Sequence, residues 1–495
     1  MNTGTSVPKD ELAWPEVGGR VSRLPRTHVE VDERSEVTPY GGLAIATAFL
    51  RRFKVAECVD RHVQVFLIHR PFYESDHVLA QVLNLYAGGT CIEDLANLQH
   101  SEAVRRIVGA CRIPDPTTAG DFLRRFHEKE YQLHGLRRAV DEVQVAVWRR
   151  LRRGRGKRSE AWSIVDVDGH VKQLYGVQKE GADFYKSTWC YQPLIVSLAG
   201  TGECLAIRNR PGSVRSSDGT AGVLDQVLPR VRERGGQMLV RGDSDFDRSD
   251  VRAACDRANA YFAFVGREFP DRPKIVETIP ESEWKPFRTR AHRERVERRK
   301  QPSYVSRRKK RNRRRLRARA RNFTEKQLVK QWVAEVALTD TDGKPYRLVI
   351  RRQLIEHREG QRMLFDEYRY RYIVTSLPAS VSTRDVVDLT YERCDQENVI
   401  EQLGSGLAAW RMPVAEFDGN SAWLEIARLA WNLGKWIALL ALPAEVVRWE
   451  WKRFRQAFVH VAAQVIRRSR QIVLRFSAAH RWHELLVAAH QQLQV

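Results

Sequence analysis

The stretch Trp162-Ser-Ile-Val-Asp-Val-Asp168, followed at once by Gly169, decides the fold. Its alternation predicts a β-strand in which Asp166 and Asp168 share one face with Ile164. A carboxylate that ends a strand beside a glycine turn commonly meets a ligand or a metal. Asp168 is therefore a candidate metal ligand. From this stretch alone, a turn aspartate that caps a tight hairpin is an equally good interpretation.

The pattern after this stretch predicts a mixed α/β unit with the order β-β-β-α-β-α-β. The predicted strands are 162–168, 171–178, 193–198 (with 204–208 as a continuation or an extra strand), 237–243 and 260–265, and the predicted helices are 221–234 and 248–258. This order is that of the ribonuclease-H-like fold, in which the first and fourth strands are neighbours. Asp168 and Asp243 end those two strands and are expected to converge. Asp245 is a possible additional acid, although Asp245 and Asp247 could instead cap the next helix.

A basic run and further strands interrupt this unit before a third acid appears. Strands are predicted at 332–338, 346–353 and 368–375, and a helix then carries Arg393, Glu397 and Glu401 at a spacing of four residues, which places them on one face. Such a series is usually a row of surface ion pairs. With two acids already placed upstream, Glu397 supplies the third carboxylate that a metal site lacks, and Glu401 and Asp166 remain possible additional acids.

The rest of the chain is predicted to be mainly helical. Apolar residues recur at helical spacing from Gly41 to about Leu151, with an N-cap at Thr117 and Thr118 that opens a long helix toward Trp148. This helical region suits a DNA-binding module, but a lid or a dimerisation domain would have the same pattern. Buried or amphipathic helices are predicted at 421–442 and 449–465.

These patterns predict five segments. They are a polar arm (1–38), a helical DNA-binding domain (39–155), the first part of a ribonuclease-H-like catalytic domain (156–266), a basic β-containing insertion domain (267–380), and the completion of the catalytic domain with the third-acid helix and C-terminal helices (381–495).

The net charge of +23 indicates a polyanionic partner. Between Arg288 and Asn322, 18 Lys or Arg residues stand against two Glu residues, so this run carries +16 and the rest of the chain only +7. A solvated basic tail is the alternative, but the run lies between structured-looking segments, which favours contact with DNA phosphates. The candidate DNA-binding residues in the run are Arg307, Arg308, Lys309, Lys310, Arg311, Arg313, Arg314 and Arg315.

Several other classes of protein are disfavoured. The seven cysteines form no C-x-x-C pair and the 14 histidines show no zinc spacing, so neither a disulfide framework nor a zinc site is indicated. Neither a signal peptide nor a membrane span is predicted, and the expected location is the cytoplasm, at the nucleoid. A basic RNA-binding protein would be expected to carry an RNP-type aromatic motif or a glycine loop, and neither is present.

Seven short motifs, taken in order between about residues 79 and 436, resemble a bacterial DDE transposase of insertion-sequence family thirteen-eighty. They are Asp166-Val-Asp168-Gly, Gly176-Val-Gln178-Lys-Glu-Gly, Tyr191-Gln-Pro193-Leu, Arg241-Gly-Asp243-Ser-Asp-Phe246, Asp395-Gln-Glu397-Asn-Val-Ile-Glu401-Gln-Leu, Arg411-Met-Pro-Val and Ala430-Trp-Asn-Leu. The resemblance implies a ribonuclease-H-like catalytic domain with an insertion before the third acid, and Mg²⁺-dependent DNA transposition.

Residue by residue, the resemblance implies that Asp168, Asp243 and Glu397 are the catalytic triad and metal ligands. Tyr391 and Arg393 match the Tyr and Arg of a related Tyr-Arg-Glu-Lys signature, in which they contact DNA. Tyr391 stands one residue closer to Arg393 than in that signature, and the lysine position falls on Gly404. The cation expected there must therefore come from elsewhere.

The implied reaction is cleavage and transfer of DNA strands, with two Mg²⁺ ions as cofactors and Mn²⁺ as an expected substitute. The expected partners are double-stranded DNA, as transposon ends and target, and a second copy of the chain on DNA, without a membrane or a small-molecule substrate. Two alternatives share the fold, namely a structure-specific nuclease and a catalytically silent regulator that binds DNA ends.

Overall fold

A computed structural model gives the fold, and it describes residues 35–128, 131–155, 162–290, 293, 326–339, 343–357, 367–469 and 471–494. Helices and a large mixed sheet together confirm the predicted α/β class. Every helix in these ranges is too short or too polar to span a bilayer.

The elements of the described ranges are numbered here in chain order. The helices are α1 (Leu43–Arg52), α2 (Val55–His62), α3 (Glu74–Ala87), α4 (Leu95–Gln99), α5 (Glu102–Val108), α6 (Pro116–Glu128), α7 (Tyr131–Arg155), α8 (Thr220–Val231), α9 (Ser249–Arg257), α10 (Arg272–Glu277), α11 (Thr383–Tyr391), α12 (Cys394–Ser405), α13 (Phe417–Ala441), α14 (Trp451–Phe458) and α15 (His483–Gln494). The strands are β1 (Val37–Thr38), β2 (Ser163–Gly169), β3 (Lys172–Gln173), β4 (Asp183–Tyr185), β5 (Thr188–Tyr191), β6 (Leu194–Leu198), β7 (Cys204–Arg208), β8 (Met238–Gly242), β9 (Tyr261–Val265), β10 (Lys285–Pro286), β11 (Lys326–Thr339), β12 (Pro345–His357), β13 (Glu367–Thr375), β14 (Ala463–Arg468) and β15 (Gln471–Phe476).

The sheet that positions the candidate site contains, in the described residues, nine strands in the order β10-β11-β12-β13-β9-β8-β2-β6-β7. Strand β2 runs parallel to β8 and antiparallel to β6. The first and fourth predicted strands are therefore neighbours, as expected. Because parallel strands end at the same edge of a sheet, Asp168 at the end of β2 and Asp243 just after β8 lie at one edge.

The strands of the segment 326–375 extend this same sheet. Strand β13 pairs antiparallel with β9, from Ile373 opposite Val265 to Thr375 opposite Ala263. Strands β12, β11 and β10 follow outward, each antiparallel to its neighbour. Residues 367–372 of β13 therefore continue past the end of β9, on the edge where the two aspartates lie.

The short strands between β2 and β6 form a separate sheet, in the order β3-β5-β4. The strand predicted over 171–178 is wrong, because regular pairing covers only Lys172 and Gln173 of that range. We call residues 171–191 the flap. The flap begins three residues after Asp168 in the chain.

The N-terminal helices share one apolar core with α13, α14 and α15. In the described residues, α6 and α7 cover the helix predicted from Thr117 toward Trp148, but the predicted cap is wrong. Helix α6 begins at Pro116, and the Asp115 carboxylate accepts bonds from the Thr118 backbone (2.9 Å) and hydroxyl (2.6 Å). An aspartate before a proline at the first helical position is a favourable start for a helix.

The C-terminal region differs from its prediction. The helix predicted over 449–465 ends at Phe458, and strands β14 and β15 follow as an antiparallel pair. Val37 and Thr38 of β1 then pair with Gln464 and Ala463. The last residues of the predicted polar arm thus join a small sheet near the opposite end of the chain.

A buried cluster of charges ties three parts of the chain together. The Glu425 carboxylate on α13 is fully buried and accepts bonds from Arg428 (2.7 Å), from Arg208 of β7 (2.7 Å) and from Arg137 of α7 (3.3 Å). The neighbouring guanidinium groups keep the pKa of Glu425 below its usual value, although burial opposes them. A buried carboxylate with this many partners fixes the positions of the elements that carry them.

Candidate active site

The first acid, Asp168, lies at the end of β2 with about a quarter of its side chain exposed. One carboxylate oxygen accepts a bond from the Gly169 amide at 2.8 Å. Asp166, two residues earlier, has a different environment. It is fully buried, and its two oxygens accept bonds from Nε (2.7 Å) and an NH2 group (2.8 Å) of Arg241 on β8. Asp166 is therefore half of a structural ion pair that joins β2 to β8.

The second acid, Asp243, directly follows β8 and is partly exposed. Its carboxylate accepts a bond from the Asp245 amide at 2.9 Å and so caps a short turn of 3₁₀ helix. Burial raises the pKa of the Asp243 carboxyl. Asp245 is exposed, and neither it nor the buried Asp247 caps α9, whose N-cap residue is Arg248.

The third acid, Glu397, lies exposed in the first turn of α12. The helix predicted to run from Tyr391 through Glu401 is interrupted, because α11 ends at Tyr391 and α12 begins at Cys394. Arg393 is thus the residue before α12 rather than one turn below Glu397 within it. Glu401 is exposed one turn further along α12.

Gln396 fixes α12 against the sheet and was not predicted as a site residue. Its side chain is fully buried, donates to the Ile195 carbonyl at 3.1 Å and contacts the Ser197 hydroxyl, both on β6. The only sequence signal for this contact is that Gln396 lies between the two acidic residues Asp395 and Glu397. Because β6 is next to β2, the contact sets the start of α12 beside Asp168.

Arg393 completes the cluster. Its guanidinium lies 3.5 Å from the Asp168 carboxylate and 3.3 Å from the Val167 carbonyl. Burial raises the pKa of Asp168 to about 6, and Arg393 opposes that effect, whereas Asp243 and Glu397 raise the pKa further. The structure therefore brings the three acids and Arg393 within electrostatic range of one another.

The other predicted site residues lie elsewhere. The Tyr391 ring is largely buried between α11 and the sheet, 5.2 Å from the guanidinium of Arg351. The predicted DNA-binding residues of the basic run, 307–315, lie outside the described residues.

Gly404 occupies the position where the related signature has lysine. A Cβ atom added there would lie 2.4 Å from the Trp410 ring, far inside the normal contact distance. The Trp410 indole is held in place by its bond to the Ile400 carbonyl at 3.2 Å. A side chain at position 404 would therefore displace Trp410, which explains the glycine in physical terms.

The donor set suits a hard divalent cation. Carboxylate oxygens are the preferred ligands of Mg²⁺, and the mutual repulsion of Asp168, Asp243 and Glu397 would be relieved by a cation between them. Across the described ranges, however, no three side chains of His, Cys, Asp or Glu are arranged to hold one ion as they stand. Common coordination by these acids would therefore require their side chains to turn toward one another.

Comparison with known proteins gives one family. The family model described as "Transposase DDE domain group 1" matches residues 25–495. No curated protein matches the chain. Among solved structures, the chain is similar to a piggyBac transposase synaptic complex with hairpin DNA studied by cryo-EM, at 8% identity and a TM-score of 0.34, over 92% of this chain and 80% of that one.

Proposed function

The chain belongs to the transposase DDE domain group 1 family, and from this premise we propose that it binds the ends of its own mobile element and cuts and joins DNA strands there with two Mg²⁺ ions. Membership makes it a DNA-transposing enzyme. The ribonuclease-H-like architecture, the closer relationship to insertion-sequence family thirteen-eighty and assembly as a dimer on DNA are parts of the proposal. The strand order β7-β6-β2-β8-β9, with β2 parallel to β8, supports the architecture.

The observation that carries the mechanism is the position of Asp168 and Asp243 at the ends of the neighbouring parallel strands β2 and β8, with the Arg393 guanidinium 3.5 Å from Asp168. Three carboxylates at one edge of the sheet would hold the ions, with Asp168 shared between both, Asp243 on one and Glu397 on the other. Such ions activate the attacking water or 3′-hydroxyl group and stabilise the leaving oxygen. Arg393 would bind a non-bridging oxygen of the scissile phosphate, because its guanidinium lies 3.5 Å from the Asp168 carboxylate.

The test is to incubate the full chain with the DNA that flanks its gene, with and without Mg²⁺. We expect cuts at terminal inverted repeats only when the metal is present. Asp243→Ala and Glu397→Ala should retain end binding but lose cleavage. Binding without cleavage by the wild type would indicate a silent regulator, and cleavage of branched DNA regardless of sequence would indicate a structure-specific nuclease. Either result would overturn the proposal.

The pH dependence of metal use follows from the raised pKa of Asp168. Below about pH 6 the metal-free Asp168 is mostly protonated, and a protonated carboxyl must lose its proton to bind the ion. We expect the Mg²⁺ concentration for half-maximal cleavage to rise about tenfold per pH unit below that value and to change little above it. Metal titrations of the cleavage rate across this range measure it. A half-maximal concentration that is independent of pH would contradict the role of Asp168.

The basic run should set the salt dependence of DNA binding. Each cation removed from a DNA phosphate reduces the slope of log affinity against log salt by about 0.9. Replacing Arg307, Arg308, Lys309 and Lys310 with Gln is therefore expected to flatten the slope, as measured by fluorescence anisotropy with duplex DNA. The matched control replaces the exposed Arg467 and Arg468 with Gln. Equal slopes in both variants would mean that the run does not contact DNA.

A further inference from the structure

A cleft of about 760 Å³ opens between the flap and the N-terminal helices. The residues used below are Lys172 and Tyr175 of the flap, Arg124 of α6, and Trp410 and Arg411 of the loop after α12, all of which line it. The ring of His170, two residues after Asp168, lies 5.0 Å from the Trp410 ring. Trp410 thus connects the lining of this cleft to the chain just after Asp168.

Four cations line this cleft, Arg124, Lys172, Lys179 and Arg411, and among the described residues they outnumber its one lining carboxylate, Glu93. Lys172 and Arg411 come close enough for Arg411 to lower the pKa of Lys172, which burial lowers more strongly. Arg124 is paired with Asp121 at 2.6 Å, and Lys179 donates to the Met412 and Val414 carbonyls. Among the described residues, by contrast, no carboxylate lies within ion-pair distance of Lys172 or Arg411. Two neighbouring cations without a counter-charge are costly unless an anion binds between them.

The flap also exposes aromatic rings. The Tyr175 side chain is 96% exposed and Phe184 62% exposed, while Lys186 lies 5.2 Å from the ring of Tyr185. Phe184 contacts the Trp189 ring edge to face, with centroids 5.7 Å apart, so its ring is held in position while most of it stays exposed. Exposed aromatic side chains near cations are typical of a binding surface. Stacking on bases next to a bound phosphate uses both kinds of side chain.

We propose that the cleft and the flap bind a single-stranded segment of DNA that leaves the catalytic cluster, with its phosphates on Lys172 and Arg411 and its bases stacked on Tyr175 and Phe184. This inference rests on the proposed function and names the form of DNA that its site handles. The cleft then keeps an unpaired strand in place beside the acids while the cut end is open.

The same features disfavour other occupants. A double helix presents base edges and not base faces, so exposed rings could not stack on it. The cleft volume of about 760 Å³ is within the range of small-molecule sites. It therefore suits a few nucleotides of one strand better than a double helix. A second copy of this basic chain would bring further positive charge to Lys172 and Arg411, whereas DNA brings the opposite charge.

The experiment measures binding of a labelled oligothymidine and of a labelled duplex by anisotropy, using the full chain without divalent metal. Tyr175→Ala and Phe184→Ala should each weaken oligothymidine binding about tenfold and leave duplex binding unchanged. Lys172→Gln and Arg411→Gln should each reduce the slope of log affinity for oligothymidine against log salt concentration by about 0.7. The matched controls are Tyr131→Ala, an exposed tyrosine on α7, and Lys452→Gln on α14, both outside the cleft. They should behave as the wild type.

Three outcomes would overturn the inference. If the four variants bind oligothymidine as the controls do, while the chain still binds and cuts duplex DNA, only this inference fails. If the wild type binds neither DNA, the proposed function fails with it. If Tyr175→Ala and Phe184→Ala change the sedimentation of the free chain instead of oligothymidine binding, the flap is a contact between two copies.

Discussion

Replacing Asp168 with asparagine is expected to abolish Mg²⁺-dependent DNA cleavage and to stabilise the folded, metal-free chain. Losing one shared metal ligand removes several kcal/mol of transition-state stabilisation, so the rate should fall about a thousandfold or more. The gain in stability has a separate origin. The pKa of Asp168 in the folded chain, about 6, lies above the usual 3.8. At neutral pH the ionised carboxylate is therefore less stable in the folded chain than in the unfolded chain, which lowers the free energy of unfolding.

The sign of the stability effect can be checked against pH. A raised carboxyl pKa means that the folded chain holds the proton more tightly than the unfolded chain, so this group's penalty is absent below about pH 4 and complete above about pH 6. Asp168→Asn should therefore add about 1–3 kcal/mol to the free energy of unfolding at pH 7 and almost nothing at pH 4. Urea titrations at the two pH values measure the difference. A variant that cuts DNA at the wild-type rate would remove Asp168 from the site.

Asp166→Asn is expected to have the opposite effect on stability. Burial raises the pKa of Asp166 as well, but Asp166, unlike Asp168, neutralises a guanidinium that remains buried. The substitution keeps the shape of the side chain but removes its charge, which leaves the Arg241 guanidinium without a counter-ion. Breaking one side of a buried ion pair costs about 3–5 kcal/mol. The free energy of unfolding should fall by that amount at pH 7, while end binding measured well below the melting temperature persists.

The comparison of these two aspartates tests the assignment of the site. Asp166 and Asp168 are two residues apart on one strand, and only their surroundings distinguish a structural acid from a metal ligand. If Asp166→Asn raised stability, or if Asp168→Asn lowered it by several kcal/mol, the roles assigned to the two residues would have to be exchanged. Thermal melts of both variants in parallel are sufficient to decide.

The sequence predicted the features that depend on local pattern. The alternation in 162–168 and the apolar run of 238–242 predict strands well, because each pattern is complete within a few residues. For this order of elements, the fourth strand commonly lies parallel beside the first. The expected position of Asp243 near Asp168 followed from that. The helix predicted over 449–465 is wrong beyond Phe458, because residues 463–468 pair at six positions with β15 and at two with β1, and neither partner lies within the predicted segment.

The environment of each acid could not be predicted in the same way. Whether Asp166 meets a metal or Arg241 depends on the register between β2 and β8, where Asp166 lies opposite Arg241. The break between α11 and α12 carries no glycine or proline that would have predicted it, and the start of α12 is held on β6 by Gln396. These are long-range contacts, and a single sequence does not record them.

The buried Glu425 cluster has a consequence for how this protein could be divided. Its partners come from a helix before the sheet, a strand within it and a helix after it, so any cut between Arg137 and Glu425 separates groups that neutralise one another in the intact chain. Fragments produced separately would each expose charged groups and apolar surface that are buried against the other fragment in the intact chain. A chimera that replaced α7, β7 or α13 alone with a segment lacking these residues would therefore leave a charge unpaired in the interior of the protein.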